Sequence, residues 1–255
     1  MQIIIPLSGS GQRFADAGYS EIKPLIKVQG KHMIEHVVEL FPGEHDFVFI
    51  CRNDHLQHTP LEKVLMNIAP YGRIVAIEPH KLGPVYAVLQ AEQVLHDQGP
   101  VIVNYCDFSM RWDYEHFTRQ VLGTGFSGSI PCYTGFHPHL LKPGNVYAGC
   151  RTDEQLNLLE IREKHSFEKD KTRGWHSAGT YYFKKGALVK KYFRELMNKG
   201  MSLNGEYYVS MVYTLMLEDG LPVEVYDRIP HFCQWGTPQD LEEYLWWGEV
   251  FNDAI

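Results

Sequence analysis

Over the first hundred positions, apolar residues come in short unbroken runs, and between the runs they recur at helical spacing. Gln2–Leu7, Asp46–Cys51, Arg73–Ile77 and Val101–Tyr105 are heavy in Val, Ile and Phe. Runs this short and continuous suit strands covered on both faces, as parallel strands are. His32–Leu40 places Met33, Val37 and Leu40 on one face, with Ile34 and Val38 beside it, and Leu61–Ala69 and Val85–Leu95 carry similar periodicity. Strands alternating with helices predict βαβ units and a doubly wound sheet.

Beyond about residue 125 the pattern changes. Gly128–Tyr133, Val146–Cys150, Leu156–Ile161 and Ser177–Phe183 read as strands of a more antiparallel region. Helices are expected at Ala187–Asn198, Gly205–Leu217 and Pro238–Trp247, with a Gly-Pro-rich loop at Gly135–Asn145 and a charged loop at Glu163–Gly174. No internal repeat or low-complexity linker divides the 255 residues, so a single α/β domain is expected over 1–255.

Composition narrows the function. A formal net charge of −7 disfavours nucleic acid as a partner, because a phosphate backbone needs a broad basic face. A mononucleotide needs only a few local cations. The five cysteines are scattered without a CxxC pair, which argues against a disulfide framework and a cysteine zinc site and favours a reducing cytoplasm. His137-Pro138-His139 is the closest histidine pair, and no further His or Cys stands at ligand spacing, so zinc is not expected. No apolar run reaches membrane-spanning length, and the start Met1-Gln2-Ile3-Ile4-Ile5-Pro6 has no basic stretch, so neither a membrane partner nor a signal peptide is expected. Trp246-Trp247 suits either core or a homodimer contact.

The candidate chemistry starts where the first strand ends, in Leu7-Ser8-Gly9-Ser10-Gly11-Gln12-Arg13-Phe14. Glycines there let the backbone turn N–H groups toward phosphate oxygens, although a plain turn would use them too. Phe14 stands where a dinucleotide fingerprint would need its third glycine, and Arg13 supplies a fork-shaped cation suited to phosphate. Lys23 precedes Pro24, which keeps that segment stiff; a solvated surface lysine is the other reading. Asp107 follows the Val101–Tyr105 run, where open α/β sheets bind ligands, though a strand-end Asp is also a common cap.

L-x-G-x-G-x-R-F, then K-P-L-I at Lys23–Ile26, then G-K-x-M-I at Gly30–Ile34, in this order, resembles the N-terminal half of the sugar-phosphate nucleotidyltransferases. The resemblance implies a Rossmann-like, doubly wound mixed sheet of the GT-A-like type, with a nucleotide-binding half over 1–125 and an acceptor-binding half with an antiparallel extension over 126–255. It implies that Leu7, Ser8, Gly9, Ser10, Gly11, Gln12 and Arg13 wrap a triphosphate, that Arg13 grips the departing pyrophosphate, and that Lys23 touches the transferred phosphoryl group. Gly83 and Pro84 fall where the family reads the base in G-T-A-x-A, with Pro84 and Val85 departing from that pattern. Asp107 is implied as the Mg²⁺ ligand.

In the second half, Glu163-Lys164-His165 resembles the family's E-K-P, whose Lys meets the acceptor phosphate, with His165 in place of proline. Ala178-Gly179-Thr180-Tyr181 resembles A-G-x-Y, and Asn204-Gly205-Glu206-Tyr207-Tyr208 a segment lining the acceptor pocket. Lys164, Gly179, Glu206 and Tyr207 are therefore the expected acceptor-binding residues. Gln234 stands where many relatives keep a second metal-binding Asp, so a second protein ligand would be Asp240 or none. The Tyr105-Cys106-Asp107-Phe108 and Gly135-Phe136-His137-Pro138-His139 stretches look most like compact, capsule-associated cytidylyltransferases that act on phosphocholine or phosphoglutamine. The implied activity is transfer of a nucleoside monophosphate, from CTP by preference, to a small phosphorylated acceptor. The alternatives are a sugar-1-phosphate nucleotidyltransferase, a glycosyltransferase, against which Ser109 stands in place of a second acid, or a nucleotide-binding protein without chemistry.

Overall fold

The computed structural model describes residues 1–144 and 147–253; the expected element limits at Asn145 and Val146, and the last two residues of the expected domain, lie outside the described residues. In chain order the strands are β1 Gln2–Leu7, β2 Lys27–Val28, β3 Lys31–His32, β4 Asp46–Arg52, β5 Arg73–Ile77, β6 Val101–Asn104, β7 Phe108–Arg111, β8 Gly128–Tyr133, β9 Gly149–Thr152, β10 Leu158–Arg162, β11 Trp175–Ser177, β12 Thr180–Phe183, β13 Val223–Tyr226 and β14 His231–Gln234. The helices are α1 Gln12–Asp16, α2 Met33–Val38, α3 Asn53–His58, α4 Leu61–Ile68, α5 Pro84–Gln90, α6 Tyr114–Gly123, α7 Gly186–Asn198, α8 Val209–Glu218 and α9 Pro238–Asp253.

β1 lies between β4 and β6, parallel to both, and β5 pairs parallel with β4. β12 then joins β6 antiparallel and carries the sheet without a break into β8, β11, β9 and β10, with β13 parallel to β8. The β1 sequence shows why its apolar run has no alternation. Ile3 and Ile5 point into one cluster with Val37 and Phe49, whereas Ile4 points into the opposite cluster with Val85 and Val88. All three isoleucines are fully buried. Each contributes about 1.5–3 kcal/mol of burial, so a polar residue on either face of β1 would uncouple a helical layer from the sheet. No helix among the described residues is long and apolar enough to cross a membrane.

Several elements differ from their sequence expectation for local reasons. The expected strand Ser177–Phe183 divides into β11 and β12 at Ala178-Gly179, where Gly179 has φ of +84° and the chain changes partners from β9 to β6. The helix expected from Gly205 begins at Val209, because Leu203 and Glu206 close a tight turn through positive-φ Asn204 and Gly205. The helix expected over Val85–Leu95 starts at Pro84, ends at Gln90 and is followed by a single tight turn over Glu92–Val94. Trp246 and Trp247 are 56% and 42% exposed on α9.

The loop expected at Gly135–Asn145 contains a turn, Pro138–Leu141, that packs its histidines inward. His137 Nε2 accepts the Phe232 N–H at 3.2 Å, and His139 Nε2 meets Tyr133 Oη at 2.7 Å. These ring nitrogens are thus spent on the fold. His176, fully buried, donates from Nε2 to the Lys171 carbonyl at 2.7 Å. Burial, aided by the His137 and His176 charges, pushes His139 down to about 3, and burial lowers His137 and His176 as well. The folded state therefore disfavours protonation relative to an unfolded histidine near pH ~6.5. Stability from these rings is fully present above that pH and is lost as pH falls from there toward 3. Melting temperature should fall across this window, and His139→Gln should give a shallower fall because it removes one titrating group. Superimposable pH profiles for the two proteins would contradict this account.

Candidate active site

The parallel order β4-β1-β6 brings the carboxyl ends of β1 and β6 side by side. The loop after β1 and the Cys106-Asp107 step after β6 therefore open onto one cleft, a cavity of about 460 Å³. Loop residues 8–13 line one wall, with Lys23, Gly83, Pro84 and Asp107 around them. Leu7 is 1% exposed and belongs to the core beneath the loop, not to the cleft surface. Gly11 adopts φ of +63° at the start of α1, and its carbonyl accepts the Phe14 N–H at 2.9 Å. Within this loop the Gln12 N–H donates to Ser10 Oγ at 3.4 Å, and Arg13 lies exposed at the rim without an ion-pair partner among the described residues.

Lys23 and Asp107 meet directly. Lys23 opens a single 3₁₀ turn, Lys23–Leu25, stiffened by Pro24, and its Nζ donates to Asp107 Oδ2 at 2.6 Å and to the Gly236 carbonyl at 3.0 Å. Its ammonium also lies 5.3 Å from the centre of the buried Phe14 ring, which restricts its approach to this side. An ammonium has three N–H donors, so one remains for a ligand. Cys106, next to Asp107, is buried enough that its thiol is pushed up to about 12; it is un-ionised and no nucleophile at neutral pH.

The far end of the cleft is built by the second half. Lys164, with φ of +52°, donates from Nζ to Tyr208 Oη at 2.9 Å, and Tyr208 Oη in turn donates to Glu206. Glu163 accepts from Ser210, and burial raises its carboxyl to about 7. Arg13 of the glycine-rich loop and Tyr208 of this second-half cluster line the same cleft. Gly179 also lines the cleft; a Cβ there would press the Tyr105 and Phe108 rings at 3.3 and 3.1 Å. Tyr207 takes a different place from Glu206 and Tyr208. Its N–H donates to the Leu82 carbonyl at 2.9 Å and its carbonyl accepts the Val85 N–H at 3.2 Å, so its backbone docks the start of α5. Tyr208 is the tyrosine of this pair that faces the cleft.

Gln234 ends β14 and is 7% exposed. Its Nε2 donates to Asp240 Oδ2 at 2.6 Å, and Asp240 is further held by Thr237 Oγ1 at 2.5 Å and Lys142 Nζ at 2.5 Å. Thr237 Oγ1 accepts the Asp240 N–H at 3.2 Å and so caps α9, while the Asp240 carboxylate is committed to Gln234, Thr237 and Lys142 of the 135–144 loop. Asp107, paired with Lys23, lines the cleft beside the glycine-rich loop. His80, Glu163, Tyr208 and Gly236, none of them among the individually expected site residues, also line the cleft. Glu163 and Tyr208 each sit beside a residue that was singled out, so adjacency was their signal. Gly236 lies in the Gln234–Asp240 stretch that resembles the family's D-T-G-T-P-x-D, whereas His80 had no such signal.

The family model described as Nucleotidyl transferase matches residues 3–218, and the chain belongs to that family. In fold the chain is similar to a nucleoside-diphosphate-sugar pyrophosphorylase from Vibrio cholerae RC9, at 19% identity and a TM-score of 0.76, over 96% of this chain and 99% of that one. It is likewise similar to the inositol-1-phosphate CTP transferase from T. maritima, at 15% identity and a TM-score of 0.71, over 94% of this chain and 90% of that one.

Gly83 gives a test of the cleft wall. It has φ of +83° and ψ of −179°, a conformation open in practice to glycine alone, and a Cβ there would lie 2.9 Å from both the Tyr207 N and O. Gly83→Ala should lower unfolding stability by about 1–3 kcal/mol, read from a urea titration. An unchanged midpoint would mean that the 82–85 segment and Tyr207 are not joined in solution as described.

Proposed function

We propose that the cleft binds an NTP, with CTP the preferred donor, and a small phosphorylated acceptor, and that it transfers the nucleoside monophosphate to the acceptor phosphate with release of pyrophosphate. The observation that carries this reading is the convergence of Arg13, Lys23, Asp107 and Lys164 on one cleft beside a glycine-rich loop. The acceptor phosphate is ionised at neutral pH and attacks the α-phosphorus in line, so the chain needs no general base. Its work is positioning and charge neutralisation. The loop amides and Arg13 hold the β- and γ-phosphates. Lys23 spends its remaining N–H on the transferred phosphoryl group. Lys164, steadied by Tyr208, holds the acceptor phosphate.

Asp107 is the residue that would hold Mg²⁺, and a single strand-end carboxylate fits an ion that takes one or two carboxylates and fills its shell with phosphate and water. Bound there, Mg²⁺ supplies neutralisation of the charge between the two substrates. The preference for CTP rests on the likeness of the Tyr105–Phe108 and Gly135–His139 stretches to capsule-associated cytidylyltransferases, and a CTP transferase stands among the structural neighbours. Phosphocholine or phosphoglutamine is the acceptor we favour, in cytoplasmic synthesis of a capsule or surface glycan. The sugar pyrophosphorylase neighbour keeps a sugar-1-phosphate acceptor as the second reading.

A pyrophosphate-release screen of four NTPs against phosphocholine, phosphoglutamine, inositol phosphate and hexose-1-phosphates tests the proposal. Release with CTP and one of the first two acceptors is expected. Release only with a hexose-1-phosphate selects the second reading, and no release from any pair removes the transferase assignment. In the productive pair, Lys23→Ala and Asp107→Ala should each cost at least about 2–3 kcal/mol in transition-state stabilisation. Near-normal kcat/KM in either variant would strip that residue of its role.

A further inference from the structure

His80 lies between β5 and α5, and its ring leans on Tyr86 with ring centroids 4.6 Å apart. The Leu82 N–H donates to its Nδ1 at 3.2 Å. Nδ1 is therefore the unprotonated nitrogen, and the proton of the neutral ring sits on Nε2. Burial, with the Arg52 charge, lowers the His80 pKa and keeps the ring in that neutral form. Nε2 then donates to Ser8 Oγ at 3.1 Å.

Ser8 is 4% exposed, forms the floor of the cleft where β1 gives way to the glycine-rich loop, and has no other side-chain partner among the described residues. A hydroxyl that accepts the His80 N–H is turned so that its own hydrogen is free. With the backbone pinning one ring nitrogen, the direction of the chain Leu82 N–H to His80 to Ser8 is fixed, and it ends on a donor at the cleft surface.

We infer that His80 is a positioning residue for nucleotide binding: it holds the Ser8 hydroxyl as a hydrogen-bond donor to an acceptor atom of the NTP. The assignment rests on the proposed NTP site. A triphosphate or ribose oxygen and a nucleobase carbonyl or ring nitrogen present the same acceptor chemistry, and either suits a hydroxyl at this junction of loop and α5. The Tyr86 contact fixes the ring plane, so the two hydrogen bonds need no further support.

The test is calorimetric titration of the full chain with CTP, UTP, ATP and GTP in the presence of Mg²⁺, without acceptor. His80→Phe keeps the ring stack and loses both hydrogen bonds; Ser8→Ala loses the donor. Each should weaken binding about tenfold, and the double variant should be no weaker than either single one, because both remove the same contact. His80→Gln, whose amide carries an acceptor and a donor, should recover most of the affinity. A merely structural histidine would not show this recovery together with the non-additivity. Equal losses for all four NTPs place the acceptor on the triphosphate or ribose, and a loss confined to some bases places it on the nucleobase; both support the assignment. Should His80→Phe fail to fold, Ser8→Ala and His80→Gln decide. Wild-type affinity in Ser8→Ala, or losses that multiply in the double variant, would overturn the assignment while leaving the NTP site in place. A wild-type chain that binds none of the four NTPs overturns the proposed function and this inference with it.

Discussion

The structure depends first on the parallel pairing of β1 with β4 and β6. Parallel strands send all their carboxyl ends to one edge, and a sheet covered on both faces can keep them there only if the strands are apolar throughout. Ile3, Ile4 and Ile5 meet that condition by feeding two opposite core clusters. The loop after β1 and the Asp107 step after β6 then have no choice but to share an edge. Lys23, stiffened by Pro24, reaches the same point from a separate segment and closes an ion pair of 2.6 Å with Asp107. The charge centre of the cleft is thus a consequence of strand order.

Charge along the cleft is divided. Arg13, Lys81 and Lys23 ring the glycine-loop end, where a polyanion would sit. At the other end Lys164 is flanked by Glu163 and Glu206, with tyrosine rings between them. A carboxyl raised to about 7 by burial, as Glu163 is, sits in a space too dry to leave its ionised form unopposed. For the proposed reaction, that division would suit a small acceptor with a phosphate at one end and hydrogen-bond donors at the other better than a second polyanion.

Much of the first half was legible in the sequence because its signals are short-range. Strand ends, the glycine-rich loop and the Lys-Pro step are read from a few neighbouring residues. The limits that moved are those set by distant partners. Ser177–Phe183 is one apolar run in the sequence, but the demand of two different neighbours, β9 and β6, breaks it at Gly179. The start of α8 is delayed because residues 203–206 form a turn and Tyr207 docks its backbone on Leu82 and Val85 instead. The short strands β7 and β14 carry weak patterns and are not expected from the sequence, whereas α6, with Tyr114, Phe117 and Val121 at helical spacing, is a legible helix absent from the expected elements. Among site residues, Gln234 stood out as a missing acid, yet only tertiary geometry reveals that its amide is bound to Asp240, which is itself bound to Thr237 and Lys142. His80 illustrates the limit most plainly: its partners are a backbone amide and a serine far off in sequence, and neither leaves a mark on periodicity or composition.

The backbone seam between residues 82–85 and Tyr207 links these observations. Gly83 can lie against Tyr207 only because it has no Cβ, and the closeness allows two main-chain hydrogen bonds across the seam. On one side of it, His80 holds Ser8 at the floor of the loop; on the other, Glu206 and Tyr208 carry Lys164. Main-chain bonds constrain position more tightly than long side chains do, since fewer rotatable bonds intervene. The two ends of the cleft are therefore tied together through main-chain bonds rather than through long side chains. For the proposed in-line transfer, whose rate would depend on ångström-scale alignment of two reactants, such a tie between the two ends of the cleft is what the chemistry calls for.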